Sequence, residues 1–214
     1  MIEPQDFIRA NTALIRPPLV PEIELHLATE IVPIWKLTEE QLEAQGVPPP
    51  FWAFAWAGGQ ALARYVFDNP DIVRGRSVLD FASGSGLSAI AAMKAGARSV
   101  LASEIDRFAI VAIALNARAN DVAVESTMAD VVGRDDGWET VIAGDVCYER
   151  EMSGRVFGWL KSLAARGATV LVGDPGRNYL PQSNMSELAV YDVQTTRELE
   201  DREVRRTKVW RVFA

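Results

Sequence analysis

The sequence predicts an α/β fold, a Rossmann-like sheet of seven strands that is mostly parallel and ends in an antiparallel hairpin. Five apolar strand patterns alternate with helical patterns from Phe51 onward, near residues 77–82, 99–105, 124–130, 140–146 and 168–173. Such alternation is typical of a parallel sheet with helices on both faces. Two more strand patterns, 188–196 and 206–213, follow one another without an intervening helix, so we expect them to pair antiparallel.

The region before the sheet differs from it in composition. Residues 1–50 are rich in proline and contain a helical pattern near 4–14 and a short strand pattern at 23–27. We expect a helical and extended N-terminal extension that acts as a lid or faces the substrate. Residues 51–214 are expected to form the main domain, with helices predicted over 58–67, 86–95, 107–119 and 150–165.

The composition limits the classes of function. The chain has 214 residues, of which 49% are hydrophobic, and a net charge of −7. This acidic balance argues against sequence-independent binding to nucleic acid, which uses clustered Lys and Arg. One cysteine, Cys147, and one histidine, His26, exclude an intrachain disulfide and argue against a metal site built from Cys and His.

The apolar runs of the sequence are short. None approaches the length of a membrane span, and the first residues lack the basic start and apolar stretch of a secretory signal. We therefore expect a cytoplasmic protein that acts as a monomer, without a membrane or nucleic-acid partner.

The most informative local feature is a strand that ends in a glycine-rich turn. Residues 77–86 read Ser-Val-Leu-Asp-Phe-Ala-Ser-Gly-Ser-Gly, and an apolar helical pattern follows from Leu87. The glycines permit a tight turn close to a ligand, and the first turn of the helix offers unpaired N–H groups. This combination is typical of a nucleotide-cofactor site.

Two cofactors fit this turn. The stretch Gly84 to Ala89 matches G-x-G-x-x-A, the pattern of dinucleotide-binding enzymes. Asp80, however, lies where such an enzyme would place a pyrophosphate, and like charges repel. S-adenosylmethionine has no phosphate and carries an ammonium and a sulfonium, so Asp80 favours this methyl donor.

Acids near the ends of the next two strands support a nucleoside cofactor. Glu104 lies at the spacing at which a carboxylate meets ribose hydroxyls. A nicotinamide cofactor would use the same acid, so Glu104 alone does not decide between the two. Asp130 is suited to accept from the adenine amino group, and a solvated loop position is an equal alternative. Asp106 is expected to cap the next helix.

Several separate blocks of the sequence resemble one known family. The blocks are Pro50–Arg64, the Asp80 glycine turn, Gly144–Glu149, Gly173–Arg177 and Thr195–Asp201. Over about residues 50–214 the chain resembles bacterial relatives of the electron transfer flavoprotein β-subunit lysine methyltransferases. The resemblance implies the seven-stranded fold of S-adenosylmethionine-dependent methyltransferases and transfer of methyl groups to lysine side chains of that flavoprotein subunit.

Asp145 and Tyr148 fit the D-x-x-Y pattern that similar lysine methyltransferases carry at the mouth of the transfer channel. Because the ends of parallel strands meet at the cofactor crevice, both side chains can face the methyl group and an incoming amine. The resemblance implies that they are the catalytic residues: Asp145 orients the amine and Tyr148 walls the channel. The alternative is that Asp145 caps the following helix and Tyr148 belongs to the core.

Aromatic residues precede a pair of glycines. Trp52, Phe54 and Trp56 stand before Gly58, and aromatic faces attract a sulfonium or a methylated ammonium, although packing against the sheet is the alternative. We expect Trp56 and Gly58 near the methionine end of the cofactor, Trp52 near the adenosine or the substrate mouth, and Phe54 in the core. The complete predicted cofactor-binding set is Trp52, Trp56, Gly58, Asp80, Ala82, Ser83, Gly84, Gly86, Glu104, Ile105, Asp130 and Asp145.

Other residues have less specific assignments. Asp174 and Arg177 form a turn or, as the resemblance suggests, shape the acceptor channel. His26 is expected to be an ordinary strand residue and Cys147 a buried filler, so the amine must lose its proton through desolvation or water. The charged run 197–206 is a hairpin connection or a docking surface for a protein substrate.

Three rival functions remain open. The acceptor could be a ribosomal protein or a small molecule, with the same cofactor. The glycine turn could hold a nicotinamide dinucleotide in an oxidoreductase. The domain could also bind the cofactor and a partner without turnover.

Overall fold

The computed structural model describes residues 3–28, 48–195 and 202–214. The strands of the main sheet are β3 Ser77–Phe81, β4 Ser99–Ser103, β5 Glu125–Thr127, β6 Thr140–Gly144, β7 Thr169–Asp174, β8 Met185–Gln194 and β9 Val204–Val212. They form one seven-stranded sheet in the order β5-β4-β3-β6-β7-β9-β8. The predicted fold class is confirmed.

Four of the five predicted helices lie where the apolar periodicity places them, whereas the helix predicted near 4–14 ends at Asn11, because Thr12 is extended and Ala13–Ile15 form a strand. The helices of the described residues are α1 Pro4–Asn11, α2 Ala57–Asp68, α3 Leu87–Lys94, α4 Arg107–Ala119 and α5 Arg150–Ala165. Two 3-10 helices, Phe51–Ala53 and Pro70–Ile72, stand before and after α2. The bounds of α4 and α5 are those predicted. Asp106 caps α4, since its carboxylate accepts the N–H of Phe108 at 2.8 Å.

The order of the strands creates a crevice at the carboxyl edge of the sheet. Strands β3 to β7 run parallel, and β9 lies antiparallel to both β7 and β8. The chain runs outward from β3 to β5 and then returns to β6, on the other side of β3. Ligands of open α/β sheets bind at such a switch point, because the loops diverge there.

Strand β5 is shorter than predicted. Its hydrogen bonding ends at Thr127, whose hydroxyl accepts the N–H of Ala129 at 3.1 Å. The carboxylate of Asp130 accepts the N–H of Val132 at 3.0 Å. These side-chain bonds replace the strand ladder by turns. The strand predicted to reach residue 130 is therefore wrong at its end, and Asp130 lies on a loop.

The core has a layer on each face of the sheet. Val78 packs with helices α2 and α3, whereas Leu79 packs with α5. Successive residues of a strand point to opposite faces, so β3 contributes to both layers. Both side chains are almost completely buried.

The N-terminal segment packs against α4. The rings of Phe7 and Phe108 lie 5.5 Å apart, edge to face, and Ile8 beside them is completely buried. Strand β1 Ala13–Ile15 pairs antiparallel with β2 Leu25–Leu27. Residues 29–47 lie outside the described residues, so the expected role of residues 1–50 as a lid stays a prediction.

Two asparagines of α4 connect this segment to the main domain. The amide of Asn116 donates to the carbonyl of Ser85 at 2.8 Å, and its oxygen accepts the N–H of His26 at 2.7 Å. Asn120 exchanges hydrogen bonds of 2.6 and 3.1 Å with the backbone of Glu24. Asn116 thus links β2 to the residue between the two glycines of the turn.

The tail forms the predicted antiparallel hairpin of β8 and β9. The N–H of Thr195 donates to the carbonyl of Glu203 at 2.9 Å at its end. Residues 196–201 lie outside the described residues, and the docking surface expected within 197–206 stays a prediction. No helix in the described part of the chain is long and apolar enough to cross a membrane.

We predict that Asn116→Ala destabilises the protein by about 2–3 kcal/mol, because it removes the partners of two backbone groups and leaves them in a buried site. Denaturation in urea measures the difference. Asn69→Ala is the control, since Asn69 donates to the carbonyl of Tyr65 at an exposed position and should cost little. Equal losses in the two variants would contradict the role of Asn116.

Candidate active site

A cavity of about 910 Å³ lies at the switch point, lined by Phe81 of β3, Ser103 of β4 and Gly144 of β6. Most of the residues predicted for the site belong to its wall: Trp52, Trp56, Ala82, Gly84, Glu104, Ile105, Asp130, Asp145 and Tyr148. Four predicted cofactor residues are not part of the wall: Gly58, Asp80, Ser83 and Gly86. The roles assigned to all of them remain predictions.

The glycine turn needs its glycines for two reasons. Gly86, which precedes α3, has a φ of +83°, and a Cβ there would lie 3.3 Å from the side chain of Ile113. Gly84 has a φ of +55° and has open space where its Cβ would be. Positive φ favours glycine at both positions, and at Gly84 the backbone is directly accessible from the cavity.

Glu104 joins the end of β4 to the glycine turn. Its Oε2 accepts the N–H of Gly84 at 3.0 Å, and its Oε1 accepts the N–H of Ile105 at 2.8 Å. The side chain lines the cavity beside the exposed Ile105. An acid in this place is suited to ribose hydroxyls, as the sequence predicts.

Asp80 is buried behind the turn, with only 2% of its surface exposed. Its Oδ2 accepts the hydroxyl of Ser83 at 2.5 Å and the N–H of Ala89 at 3.0 Å. Burial raises the pKa of Asp80 to about 7, assisted by the charge of Glu104, although the two hydrogen bonds oppose the shift. Asp80 therefore supports the turn and the start of α3 from inside.

Asp145 is the junction of the site. Its Oδ2 accepts the N–H groups of Gly58 and Gly59, at 2.6 and 3.2 Å, in the first turn of α2. Its Oδ1 accepts from Arg177 at 2.8 Å, and only 11% of the side chain is exposed. A carboxylate at a helix N-terminus is stabilised by the helix dipole and by these N–H groups. Asp145 thus holds α2, rather than the helix that follows it in sequence.

The approach of α2 to the sheet depends on two glycines that face each other. A Cβ at Gly58 would overlap the carbonyl oxygen of Gly173, and a Cβ at Gly173 would overlap the carbonyl oxygen of Gly58. Glycine is required wherever two backbones come this close. Gly58 therefore lets the helix reach Asp145, a role that does not depend on direct contact with a ligand.

Two residues of the cavity wall other than glycine have a left-handed backbone conformation. Ala82 follows β3 with a φ of 53°, and Asp145 follows β6 with a φ of 57°. A residue with a Cβ in this region costs about 1 kcal/mol or more. The strain occurs at the ends of the two adjacent strands that define the switch point.

The turn after β7 supports Arg177. The carboxylate of Asp174 accepts the N–H groups of Gly176 and Arg177, both at 2.7 Å, and the side chain is almost completely buried. Burial raises the pKa of Asp174. Burial, and then the charge of Asp174, raises the pKa of the Cys147 thiol, so Cys147 is an unreactive filler. Arg177 lines the cavity and lies over the ring of Trp56, at 5.7 Å.

The aromatic residues divide between core and cavity. Trp52 is 1% exposed and stacks on Phe108, with ring centroids 6.4 Å apart, and its Nε1 has no hydrogen-bond partner in the described part of the chain. Trp56 donates its Nε1–H to the carbonyl of Phe51 at 2.8 Å. Phe54 is half-buried rather than in the core. Phe51, which sequence reasoning missed, lines the cavity.

The charges of the wall favour a cation. Four acids line the cavity, Glu104, Asp106, Asp130 and Asp145, together with the arginines Arg107, Arg155 and Arg177. Arg155 pairs with Asp130 at 2.9 Å and Arg177 pairs with Asp145, so these arginines are matched by acids of the same wall. His26 is not part of the wall, and its ring contacts the hydroxyl of Thr12 at 3.1 Å.

The chain is similar to known methyltransferases in sequence and in fold. The family model of ribosomal protein L11 methyltransferases matches residues 61–144. The electron transfer flavoprotein beta subunit lysine methyltransferase of Xenopus laevis is 36% identical over 97% of this chain and 86% of its own length.

Two solved structures share the fold. The ribosomal protein L11 methylase of Lactobacillus delbrueckii subsp. bulgaricus has a TM-score of 0.55 and 20% identity, over 75% of this chain and 81% of that one. The magnesium protoporphyrin IX methyltransferase of Synechocystis PCC 6803, solved with bound SAM, has a TM-score of 0.54 and 15% identity, over 72% of this chain and 77% of that one.

We predict that Gly58→Ala lowers the free energy of unfolding by about 1–3 kcal/mol, because its methyl group collides with the backbone of Gly173. Gly59→Ala is the matched control, since its Cβ would have no neighbour closer than 4.0 Å. We expect Gly59→Ala to be as stable as the parent or more stable, because alanine favours a helix. Thermal denaturation compares them, and identical melting of the two variants would contradict the close contact.

We predict that the free energy of unfolding of the parent protein falls by roughly 2 kcal/mol more than that of Asp80→Asn as pH rises from about 5 to about 8. The folded pKa of Asp80 is about 7 and the ordinary value is 3.8, so the folded state keeps a proton that the unfolded state has released. This contribution is complete below the ordinary pKa and is lost as pH rises through the folded pKa. Urea denaturation at several pH values measures it, and parallel profiles would contradict the burial of an ionisable Asp80.

Proposed function

The chain belongs to the family of electron transfer flavoprotein beta subunit lysine methyltransferases, and on that premise we propose that it transfers methyl groups from S-adenosylmethionine to lysine side chains of that flavoprotein subunit. The relatedness spans 97% of this chain and 86% of the Xenopus laevis relative, so it includes the acceptor-facing elements as well as the glycine turn. The main structural support for the proposal is the cavity at the switch point, whose wall contains both acidic and aromatic residues.

The wall fits the proposed cofactor. Glu104 presents a carboxylate for the ribose, and Gly84 lets a ligand lie against the backbone. Asp130 on its loop is proposed to reach the adenine amino group. When bound, S-adenosylmethionine supplies a methyl group on a positively charged sulfur.

The two D-x-x-Y residues have different parts in the proposed reaction. Asp145 positions α2 and Arg177, and we propose that the same carboxylate orients the lysine amine toward the methyl group. Burial, together with Glu104 and Glu149, raises the pKa of Tyr148, so its hydroxyl stays protonated at neutral pH. Tyr148 therefore serves as a neutral wall and hydrogen-bonding group of the channel and is not a base.

Lysine must be neutral to attack the methyl carbon. Its ordinary pKa is about 10.4, so the site must either favour the neutral amine by desolvation or let water remove the proton. The proton passes to water, since no histidine lines the cavity in the described part of the chain. In-line positioning of amine and methyl group supplies much of the remaining rate enhancement.

A second acceptor has one observation in its favour. The family model of ribosomal protein L11 methyltransferases matches residues 61–144, which include the glycine turn, Glu104 and Asp130. These residues belong to the cofactor half of the cavity, whereas Phe51, Tyr148 and Arg177 lie outside the match. We therefore retain a ribosomal protein as the second candidate. Membership of a methyltransferase family removes the nicotinamide oxidoreductase.

The test of the acceptor compares two proteins in one assay. The purified chain is incubated with S-adenosylmethionine and either the flavoprotein or ribosomal protein L11, and mass spectrometry locates added methyl groups. We expect methylation of lysines in the flavoprotein beta subunit. Methylation of the ribosomal protein alone would overturn the proposed acceptor.

We predict that Glu104→Gln weakens binding of S-adenosylhomocysteine by roughly 10- to 100-fold, because a charged acceptor for the ribose hydroxyls is lost. Glu187→Gln is the control for the same chemical change, since Glu187 pairs with Lys208 at 2.7 Å on the terminal hairpin. Titration calorimetry measures both affinities. Parent-like binding by Glu104→Gln would remove Glu104 from the cofactor site.

A further inference from the structure

We propose that Phe51, Trp56 and Tyr148 form an aromatic entrance that binds the cationic side chain of the acceptor before methyl transfer. This inference rests on the proposed function, which it deepens by naming residues that select the acceptor. Of the three, only Tyr148 belongs to the D-x-x-Y pattern.

The three rings stand together at the edge of the cavity, with Phe51 between the other two. The ring centroids of Phe51 and Trp56 are 6.0 Å apart with an interplanar angle of 59°, and those of Phe51 and Tyr148 are 6.3 Å apart with an angle of 41°. All three residues line the cavity. The three rings therefore form one continuous aromatic cluster in the cavity wall.

The entrance is exposed rather than packed. Phe51 is 54% and Tyr148 is 55% accessible, although large apolar side chains gain free energy from burial. The neighbouring Trp52 and Ala53 of the same 3-10 helix are completely buried, so the fold buries this helix and leaves Phe51 outside. A packing role does not account for Phe51.

The surroundings select a positive charge. The guanidinium of Arg177 lies 5.7 Å from the centroid of Trp56, but it pairs with Asp145 at 2.8 Å, so its positive charge is matched by that carboxylate. Partial burial, and then the negative charges of Glu104 and Glu149, raise the pKa of the Tyr148 hydroxyl. An ammonium is favoured both by the aromatic faces and by these carboxylates.

The entrance also prepares the reaction. A protonated lysine binds against this aromatic cluster, and desolvation as it enters the cavity favours the neutral amine, whose proton leaves to water. The nitrogen lone pair then forms the bond to the methyl carbon as the carbon–sulfur bond breaks and its electron pair returns to sulfur. A neutral side chain of similar length, such as glutamine, gains little from the entrance.

The kinetic test uses Phe51→Leu, with Phe51→Tyr as the conservative control. The phenylalanine is exposed at the cavity edge, so both variants are expected to fold. We expect Phe51→Leu to raise KM for the flavoprotein acceptor by about 3- to 30-fold and Phe51→Tyr to change it by less than about twofold. Calorimetric affinity for S-adenosylhomocysteine should be unchanged in both. An unchanged KM in Phe51→Leu, an equal rise in Phe51→Tyr, or a parallel loss of S-adenosylhomocysteine affinity would overturn the proposal.

A second measurement does not depend on the identity of the acceptor. Tetramethylammonium is titrated into the parent protein, and the indole N–H signal of Trp56, assigned by its loss in Trp56→Phe, is followed by NMR. We expect a saturable shift that is weaker in Phe51→Leu and absent with neopentyl alcohol (2,2-dimethylpropan-1-ol), a neutral molecule of similar shape. Equal shifts with the cation and the alcohol, or no shift with either, would overturn the aromatic entrance even if the flavoprotein is methylated. Failure of flavoprotein methylation with a normal cation shift would overturn the acceptor alone.

Discussion

The carboxylate of Asp145 joins three parts of the fold, and the shape of the cavity depends on this junction. Asp145 directly follows β6, and its carboxylate accepts the first N–H groups of α2 and pairs with Arg177 from the turn after β7. The helix reaches it only because Gly58 and Gly173 present no side chains where their backbones meet. The left-handed backbone of Asp145 costs about 1 kcal/mol, and charge-assisted hydrogen bonds of about 1.5–3 kcal/mol offset that cost.

The charges that a ligand meets depend on which side chains of the wall are paired with one another. Arg177 and Arg155 are paired with acids of the wall, whereas Glu104 bonds to backbone N–H groups at the glycine turn. Asp80 is buried behind the wall, and burial raises its pKa to about 7. The attraction for a positively charged cofactor therefore depends on Glu104 and on the acids of the wall, and the aromatic entrance extends this preference to the acceptor.

Local patterns were sufficient for most of the secondary structure and for much of the wall, but not for the ends of α1 and β5. The cap at Asp106 and the apolar periodicity behind it fix α4, and glycines with positive φ identify the turn at Gly84. The sequence did not indicate contacts between residues that are far apart in the chain. Asp145 lies 87 residues from Gly58, so the sequence offered a cap on the next helix as the alternative to a catalytic role but could not indicate α2. Asp80 is buried because α3 packs back against the end of β3, which the sequence of that strand does not indicate. The residues around Phe51 have no periodic pattern that would separate an exposed aromatic residue from a buried one.

A crystal structure of the chain with S-adenosylhomocysteine would show whether the site is arranged around Glu104 and Asp145. We predict that the ribose hydroxyls lie on Glu104 and that Asp145 still accepts the N–H of Gly58 and pairs with Arg177. A ligand that lies outside this cavity, or a carboxylate of Asp145 that has turned away from α2 when the cofactor product is bound, would contradict this arrangement.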